Sequence, residues 1–242
     1  MVTSDDPTSS TLPAVRIATQ LLLSTARGLT EADVRRPSLL AGWSRAHVLS
    51  HLASNAEGGS RLLEGVESGV PGWEYLDLDS RTADIEEGSH APAEMLVSRL
   101  EMTTQRFDNA CAAVSPGQWS TPVTWTTGHR NAASEVVTLR LFEVEIHHVD
   151  LAAGRTIDDW PDELTSTVFK VVVDAFTSRA DFPALIIQLD DQGARHNLGH
   201  GSSPVVVSGA RTDLLAWLLG RSEGRELRVD GGHALPSIPD LY

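Results

Sequence analysis

Residues 134–153, SEVVTLRLFEVEIHHVDLAA, decide the fold. Their apolar positions recur at helical spacing and Gly154 follows as a stop signal, so we predict a helix that Ser134 caps. Within it Glu143 and His147 are four residues apart, which places them one turn from each other on the same face. A carboxylate and an imidazole in this arrangement can bind one divalent metal ion together.

The same helix contains a competing pair, Glu145 and His148, three residues apart. At 100° per residue, Glu143 and His147 fall in an arc lined by apolar residues such as Val136, which predicts that they face the core. Glu145 and His148 fall on a more mixed face. The spacing alone is a weak signal, because such pairs are more often ordinary surface pairs than metal ligands.

A second helix supplies candidates for a third ligand. Ser44 is a good N-cap for a helix over 46–66, and His47 and His51 are four residues apart on it. Either histidine could join Glu143 and His147. Three nitrogen and oxygen ligands from two helices would leave a coordination position open for water or substrate, as catalytic zinc requires.

Two further residues of the 134–153 helix have open roles. Asp150 could accept the second N–H of His147 and fix its tautomer, or could simply solvate the helix end. Arg140, one turn before Glu143, could orient that carboxylate, hold an anionic substrate, or lie on the surface in water.

Apolar periodicity organises the chain around these helices. Four long helices are predicted, at 12–29, 46–66, 93–114 and 135–153. Residues 66–90 are interpreted as a long connection with a short helical patch around RTADIEEG, and TPVTWTTGHRN as a small hairpin. Four helices with one long and one shorter connection predict an up-down bundle over 1–153.

The sequence changes character after residue 153. β-Branched clusters ALIIQLD, PVVVSGA and ELRVD alternate with helical stretches at 161–178 and 211–220. We therefore predict an α+β protein with a four-helix bundle at 1–153 and a small α/β C-terminal domain at 154–242.

Composition restricts the partners. A net charge of −14 repels nucleic acid and anionic membranes, so we expect neither as a partner, and an anionic substrate would need local arginines. Cys111 is the single cysteine and lies in a helical stretch, where a small core residue is the simplest interpretation. A chain so poor in thiols, without a signal-like start, fits the reducing cytoplasm. Any catalytic thiol would come from another molecule.

Five segments together resemble the mycothiol-dependent maleylpyruvate isomerases, whose N-terminal bundle is similar to DinB proteins. They are SLLAGWSRAHVLSHLASNA, RTADIEEGS, ASEVVTLRLFEVEIHHVDLA, VVVSGARTDLLAWLLGR and LPSIPDLY. The resemblance runs nearly end to end and implies a metal-binding bundle followed by a smaller α/β domain.

The resemblance also implies site residues. The family's metal ligands fall on His51, Glu143 and His147. Zinc is the ion that we expect, because a His/His/Glu set prefers it. Arg221 matches an arginine implicated in binding the thiol or the substrate, and Arg81 matches the arginine that opens the R-x-x-x-I segment. His148 departs from the pattern, since small residues are common at its position.

The implied reaction is cis–trans isomerisation of maleylpyruvate to fumarylpyruvate in gentisate breakdown, with mycothiol as cofactor. A thiolate that adds to the conjugated double bond makes it single, so that it can rotate. The alternatives are a mycothiol S-transferase acting on another electrophile and a non-catalytic metal-binding or thiol-sensing protein. The sequence gives no oligomeric state.

Overall fold

The structure is a computed structural model that describes residues 8–177, 179–190, 193–201 and 203–239. The chain divides into two compact units, Met1–Gly154 and Arg155–Tyr242. The first unit is helical apart from one hairpin, and the second combines helices with a four-stranded sheet. The α+β class predicted from the sequence is confirmed.

Six α-helices lie in the described part of the first unit, residues 8–154. They are α1 (Thr11–Arg27), α2 (Glu31–Val34), α3 (Arg45–Ser68), α4 (Leu78–Ser89), α5 (Ala93–Ala113) and α6 (Ser134–Asp150). The four long predicted helices are present. The short α2 was not predicted, and α4 is a full helix of 12 residues where we expected only a patch, because Asp77 caps it by accepting a hydrogen bond from the Ser80 N–H at 2.7 Å.

The long helices pair as α3 with α5, α1 with α6, α3 with α6, and α1 with α5. The first two long helices, α1 and α3, are therefore not among the main packing pairs. In the simplest up-down bundle, helices that follow each other in the chain pack against each other. Two apolar clusters of described residues each draw on all four long helices. Their buried members include Leu22, Leu49, Leu100 and Val144 in one, and Val15, Leu63, Phe107 and Val136 in the other.

Helix ends show which local predictions succeeded. Ser44 caps α3 as predicted, in a capping box with His47. For α6 the prediction is wrong, because Ala133 is the N-cap, without a side-chain capping bond, and Ser134 is already the first residue of the helix. The same helix ends at Asp150, before Gly154, and the following Ala152 has a positive φ of 48°.

Two glycines inside α3 allow close packing. A Cβ at Gly58 would lie 2.9 Å from Cγ of Glu74, and one at Gly59 would lie 2.8 Å from the Phe107 ring. Alanine would be a better helix former at both positions. Because these two glycines have no side chain, α5 and the connection after α3 can approach this helix closely.

A small hairpin precedes α6, as predicted. Strand β1 (Pro122–Thr124) pairs antiparallel with β2 (Arg130–Ala132), and Gly128 has the positive φ of 85° that suits a tight turn.

Where the structure describes the second unit, it forms a mixed sheet and two α-helices. In chain order the elements are α7 (Asp162–Thr177), β3 (Leu185–Leu189), β4 (Arg195–Leu198), β5 (Val205–Gly209), α8 (Arg211–Leu218) and β6 (Arg228–Val229). The strands are ordered β4-β3-β5-β6, with β3 and β5 parallel and the edge strands antiparallel to them. Over the described ranges, no helix is long and apolar enough to cross a bilayer.

Candidate metal centre

Three side chains from two helices converge inside the bundle. His51 from α3 and the pair Glu143 and His147 from α6 offer ligand atoms that all lie within 4.8 Å of one another. The Oε2 atom of Glu143 is 2.7 Å from Nε2 of His51 and 3.4 Å from Nε2 of His147. The two imidazole rings are nearly perpendicular, with centroids 4.6 Å apart.

Burial and mutual contact shift the pKa values of these groups. Burial opposes the charge of Glu143, but hydrogen bonds from His147 and His51 outweigh it and hold its pKa well below the usual range. Burial, and then the charge of His147, lower the pKa of His51 to about 4. For His147, burial is outweighed by hydrogen bonds to Asp150 and Glu143, which raise its pKa to about 9.

Asp150 supports His147 from behind. Its carboxylate is fully buried and accepts a hydrogen bond from Nδ1 of His147 at 2.7 Å. This contact leaves Nε2 as the nitrogen that faces Glu143. The alternative that Asp150 only solvates the helix end is wrong.

Arg140 is also buried, with 2% of its surface exposed, so the surface alternative is wrong for this residue. Its Nη1 donates to the Leu52 carbonyl at 2.9 Å and to Oδ1 of Asn55 at 2.7 Å. Burial lowers its pKa to about 10, against the favourable charge of Glu143. Its Nε and Nη2 have no hydrogen-bond partner among the described residues.

Arg81 from α4 completes one side of the site. Its Nη2 lies 3.3 Å from Nδ1 of His51, and its Cζ lies 5.8 Å from the centre of the Tyr75 ring. On another side, Trp43 meets the His51 ring edge-on, with centroids 5.6 Å apart. His51 is therefore flanked by the Arg81 cation and the Trp43 ring, and Arg81 in turn lies over the Tyr75 ring.

The competing histidines lie outside the cluster. His47 stacks on Trp43, contacts Ser44 through Nδ1 and lies 3.1 Å from Glu86 through Nε2. On α6, His148 is 2.8 Å from the Thr25 hydroxyl of α1.

Glu145 and His148 lie on the face that we expected to be more mixed. Both residues are buried. The reason is that α6 packs against both α1 and α3, so that opposite sides of the helix are covered.

Two other candidate residues belong to other parts of the chain. Arg221 belongs to the second unit, where it directly follows the turn after α8 and its Nη1 donates to the Leu219 carbonyl. Cys111 is buried in the bundle core, as its sequence context predicted. Burial first, and the charge of Asp108 next, raise its pKa to about 12, so this thiol is a poor nucleophile at neutral pH.

The donor set fits a divalent metal ion. Two imidazoles and a carboxylate are a common ligand set for catalytic zinc, and Asp150 orients His147 as carboxylates do behind metal-bound imidazoles. The Glu143 side chain keeps 23% of its surface exposed, so the centre has access from solvent. Three protein ligands leave room for an incoming ligand.

Sequence reasoning missed Trp43, which contacts His51, and Tyr75, which lies under Arg81. Glu74 and Tyr75 lie in the connection between α3 and α4, where no helical or strand period marks an inward face. Their segment, WEYLDL at 73–78, places Tyr75 inside while Trp73 and Leu76 are exposed. For Tyr75, the available signal was a large aromatic side chain in a loop close in sequence to Arg81.

Fold and site together define a class: α+β proteins whose helical bundle carries a His/Glu/His cluster of the metal-binding kind. A family model for the mycothiol maleylpyruvate isomerase N-terminal domain matches residues 15–152, more than half of the chain. This chain therefore belongs to the mycothiol maleylpyruvate isomerase family, and the resemblance inferred from the sequence is confirmed.

Solved structures agree with the family assignment. The crystal structure of a mycothiol-dependent maleylpyruvate isomerase is 28% identical, with a TM-score of 0.91, and the match covers 99% of this chain and all of that one. A histidine-to-alanine mutant of such an isomerase matches with the same coverage and TM-score at 27% identity. No curated protein matches significantly.

Proposed function

We propose that this chain is a metal-containing, mycothiol-dependent isomerase that converts maleylpyruvate to fumarylpyruvate. The observation that carries the proposal is the convergence of His51, Glu143 and His147 within one family-typical bundle. Zinc is the ion we propose, because two imidazoles and one carboxylate suit it better than they suit calcium or magnesium.

The metal would be held by Nε2 of both histidines and by the Glu143 carboxylate, and when bound it supplies a Lewis acid or activates a thiol. Mycothiol supplies the nucleophile that Cys111 cannot provide. The chain's own residues orient these groups: Asp150 fixes the His147 ring, and Trp43 restrains the His51 ring.

The arginines would bind negative charge. We propose that Arg81, next to His51, and Arg221 of the second unit bind the anionic substrate or the thiol. Arg140, held by Leu52 and Asn55, would contribute positive charge beneath Glu143. In a protein of net charge −14, such local cations are needed to attract an anion.

The proposed organisation assigns the metal centre to a DinB-like domain at 1–153 and Arg221 to the α/β domain at 154–242. The proposed partners are a small acidic substrate and a low-molecular-weight thiol. A single buried cysteine and a thiol cofactor suit a reducing compartment, so we propose that the protein acts in the cytoplasm, in gentisate breakdown.

The test combines elemental analysis with a turnover assay. Purified protein should contain about one zinc per chain, and with mycothiol and maleylpyruvate it should turn over without consuming thiol. Arg221→Ala should lose activity while keeping its metal. Stoichiometric loss of thiol to another electrophile would indicate an S-transferase instead, and full metal content with no turnover across thiols and electrophiles would indicate a non-catalytic protein.

A further inference from the structure

Arg140 is a buried arginine whose hydrogen bonds go to uncharged oxygens. Only 2% of its surface is exposed, and its Nε and Nη2 have no hydrogen-bond partner among the described residues. A charge taken out of water is destabilising unless its surroundings compensate it, and an apolar side chain of similar volume often improves stability at such a position. Packing therefore explains the bulk of Arg140 but not its guanidinium.

The guanidinium joins the two helices that carry the metal ligands. Arg140 belongs to α6, and its Nη1 donates to the Leu52 carbonyl of α3 at 2.9 Å and to Oδ1 of Asn55 at 2.7 Å. A guanidinium has no acceptor, so the Asn55 amide must turn its oxygen toward it. On α3 the two acceptors follow His51, directly and by one turn, and on α6 the arginine precedes Glu143 by one turn. The bonds therefore lie within one turn of a metal ligand on both helices.

The contacts between α3 and α6 follow an antiparallel register with three levels. At the first level a Cβ on Gly59 would lie 3.4 Å from Cγ1 of Val136, so glycine lets the helices approach closely there. The bonds of Arg140 form the second level, and the 2.7 Å contact between His51 and Glu143 forms the third. Because the second level lies next to the third, its bonds oppose any sliding of one helix that would separate the ligand atoms.

We propose that Arg140 and Asn55 are positioning residues of the metal centre, because their bond fixes the register of α3 against α6 at which His51 meets the α6 ligands. Ligand atoms must lie within roughly 0.2 Å of their bonding distances. Apolar packing is non-directional and does not impose this precision, whereas a hydrogen bond depends on distance and angle. The inference rests on the proposed function, since it takes its metal from there, and it adds two residues that act through the ligands.

Arg140→Met removes the guanidinium and keeps a side chain of similar length. We expect the affinity for Zn²⁺ to fall about 10- to 100-fold, as for other residues that support metal ligands from behind. The melting temperature of the metal-free protein should stay the same or rise, because a buried cation is replaced by an apolar group. Competition with a chromophoric chelator measures the affinity far below that temperature, where circular dichroism shows that the variant is folded.

Two substitutions of Asn55 test the bond itself. Asn55→Leu removes the acceptor and leaves Arg140 in place, so the affinity for zinc should fall about 10-fold. Asn55→Asp supplies a carboxylate acceptor for the same guanidinium, and its affinity should stay within about threefold of the parent's or exceed it. The double variant of Arg140→Met and Asn55→Leu should bind zinc no more weakly than Arg140→Met alone, since both changes break one bond.

Arg99→Met is the matched control. Arg99 of α5 bonds the same stretch of α3, with its Nη2 3.0 Å from Oγ of Ser54 and 3.2 Å from Oε2 of Glu57, but α5 carries none of the three ligands. Its loss should change the affinity for zinc by less than about twofold. Equal affinity in Arg140→Met and the parent protein would overturn the proposal. An equal fall in Arg99→Met and Arg140→Met would also overturn it, since a general loosening of α3 would then be the cause.

The zinc measurements separate this proposal from the isomerase assignment. If the parent protein binds zinc without thiol-dependent turnover and Arg140→Met weakens that binding, the positioning role stands and the isomerase assignment fails. If the parent protein turns over and Arg140→Met binds zinc as tightly as the parent, the isomerase stands and the positioning role fails. If the parent protein binds no zinc, the positioning role fails together with the metal centre.

Discussion

Two histidine positions on α3, one turn apart, differ in what the rest of the bundle brings to them. His51 meets Glu143 and His147 of α6, with Arg81 behind it. His47 meets Ser44 of its own cap and the largely exposed Glu86 of α4. Both residues are histidines of the same helix, so the helix that packs against each one decides which imidazole belongs to a metal centre.

The largest effect is expected from substitution of the metal ligands themselves. His51→Ala or His147→Ala should abolish stoichiometric metal binding and lower turnover by at least about 1,000-fold, because one of three ligands is lost. Metal analysis and circular dichroism would show this, with helix content nearly unchanged. His47→Ala and His148→Ala are the matched controls and should retain metal. Stoichiometric zinc in either ligand variant would contradict the assignment.

A smaller effect is expected from Asp150, which accepts a hydrogen bond from the ligand His147. Asp150→Asn replaces the charged acceptor of the His147 Nδ1–H bond, so metal affinity should fall about 10- to 100-fold. Competition with a chromophoric chelator measures this affinity. Glu86→Gln alters the hydrogen-bond acceptor of His47 and should leave metal affinity unchanged. An equal loss of metal affinity in Asp150→Asn and Glu86→Gln would contradict the different roles of His147 and His47.

The connection that leads to Tyr75 and Arg81 offers a third test. A Cβ at Gly72 would lie 1.9 Å from the Arg61 carbonyl oxygen, so Gly72→Ala must displace this segment. We expect the free energy of unfolding to fall by about 1–3 kcal/mol, with a parallel loss of turnover. Urea unfolding measures the first quantity. Gly117→Ala, where nothing lies within 4 Å, should change it by less than about 0.5 kcal/mol.

The smallest expected effect concerns Cys111. Cys111→Ala should keep thiol-dependent turnover within about twofold, because its buried thiol, with a pKa near 12, takes no part in the reaction. The small cavity should cost about 1 kcal/mol of stability. A steady-state assay with mycothiol present and absent checks this. Loss of turnover with normal stability would show that the chain supplies its own thiol.

The α6 sequence was sufficient to predict a helix with Glu143 and His147 on one face, because helical geometry is local and fixes neighbours four residues apart. Ser44 likewise predicted the start of α3, since a cap bonds the backbone three residues away. The same local rules were insufficient at Ser134, where no capping bond forms, and around Glu145 and His148, whose face a second helix covers.

The sequence by itself therefore determined the four long helices of the bundle, the change to an α/β unit and the ligand pair on α6. Only the tertiary structure decided that α3 and α6 are neighbours, that His51 rather than His47 faces Glu143, and that Arg81 contacts His51. The physical reason is that periodicity orients side chains about their own helix axis, whereas the order of helices in a bundle depends on packing between segments distant in the chain.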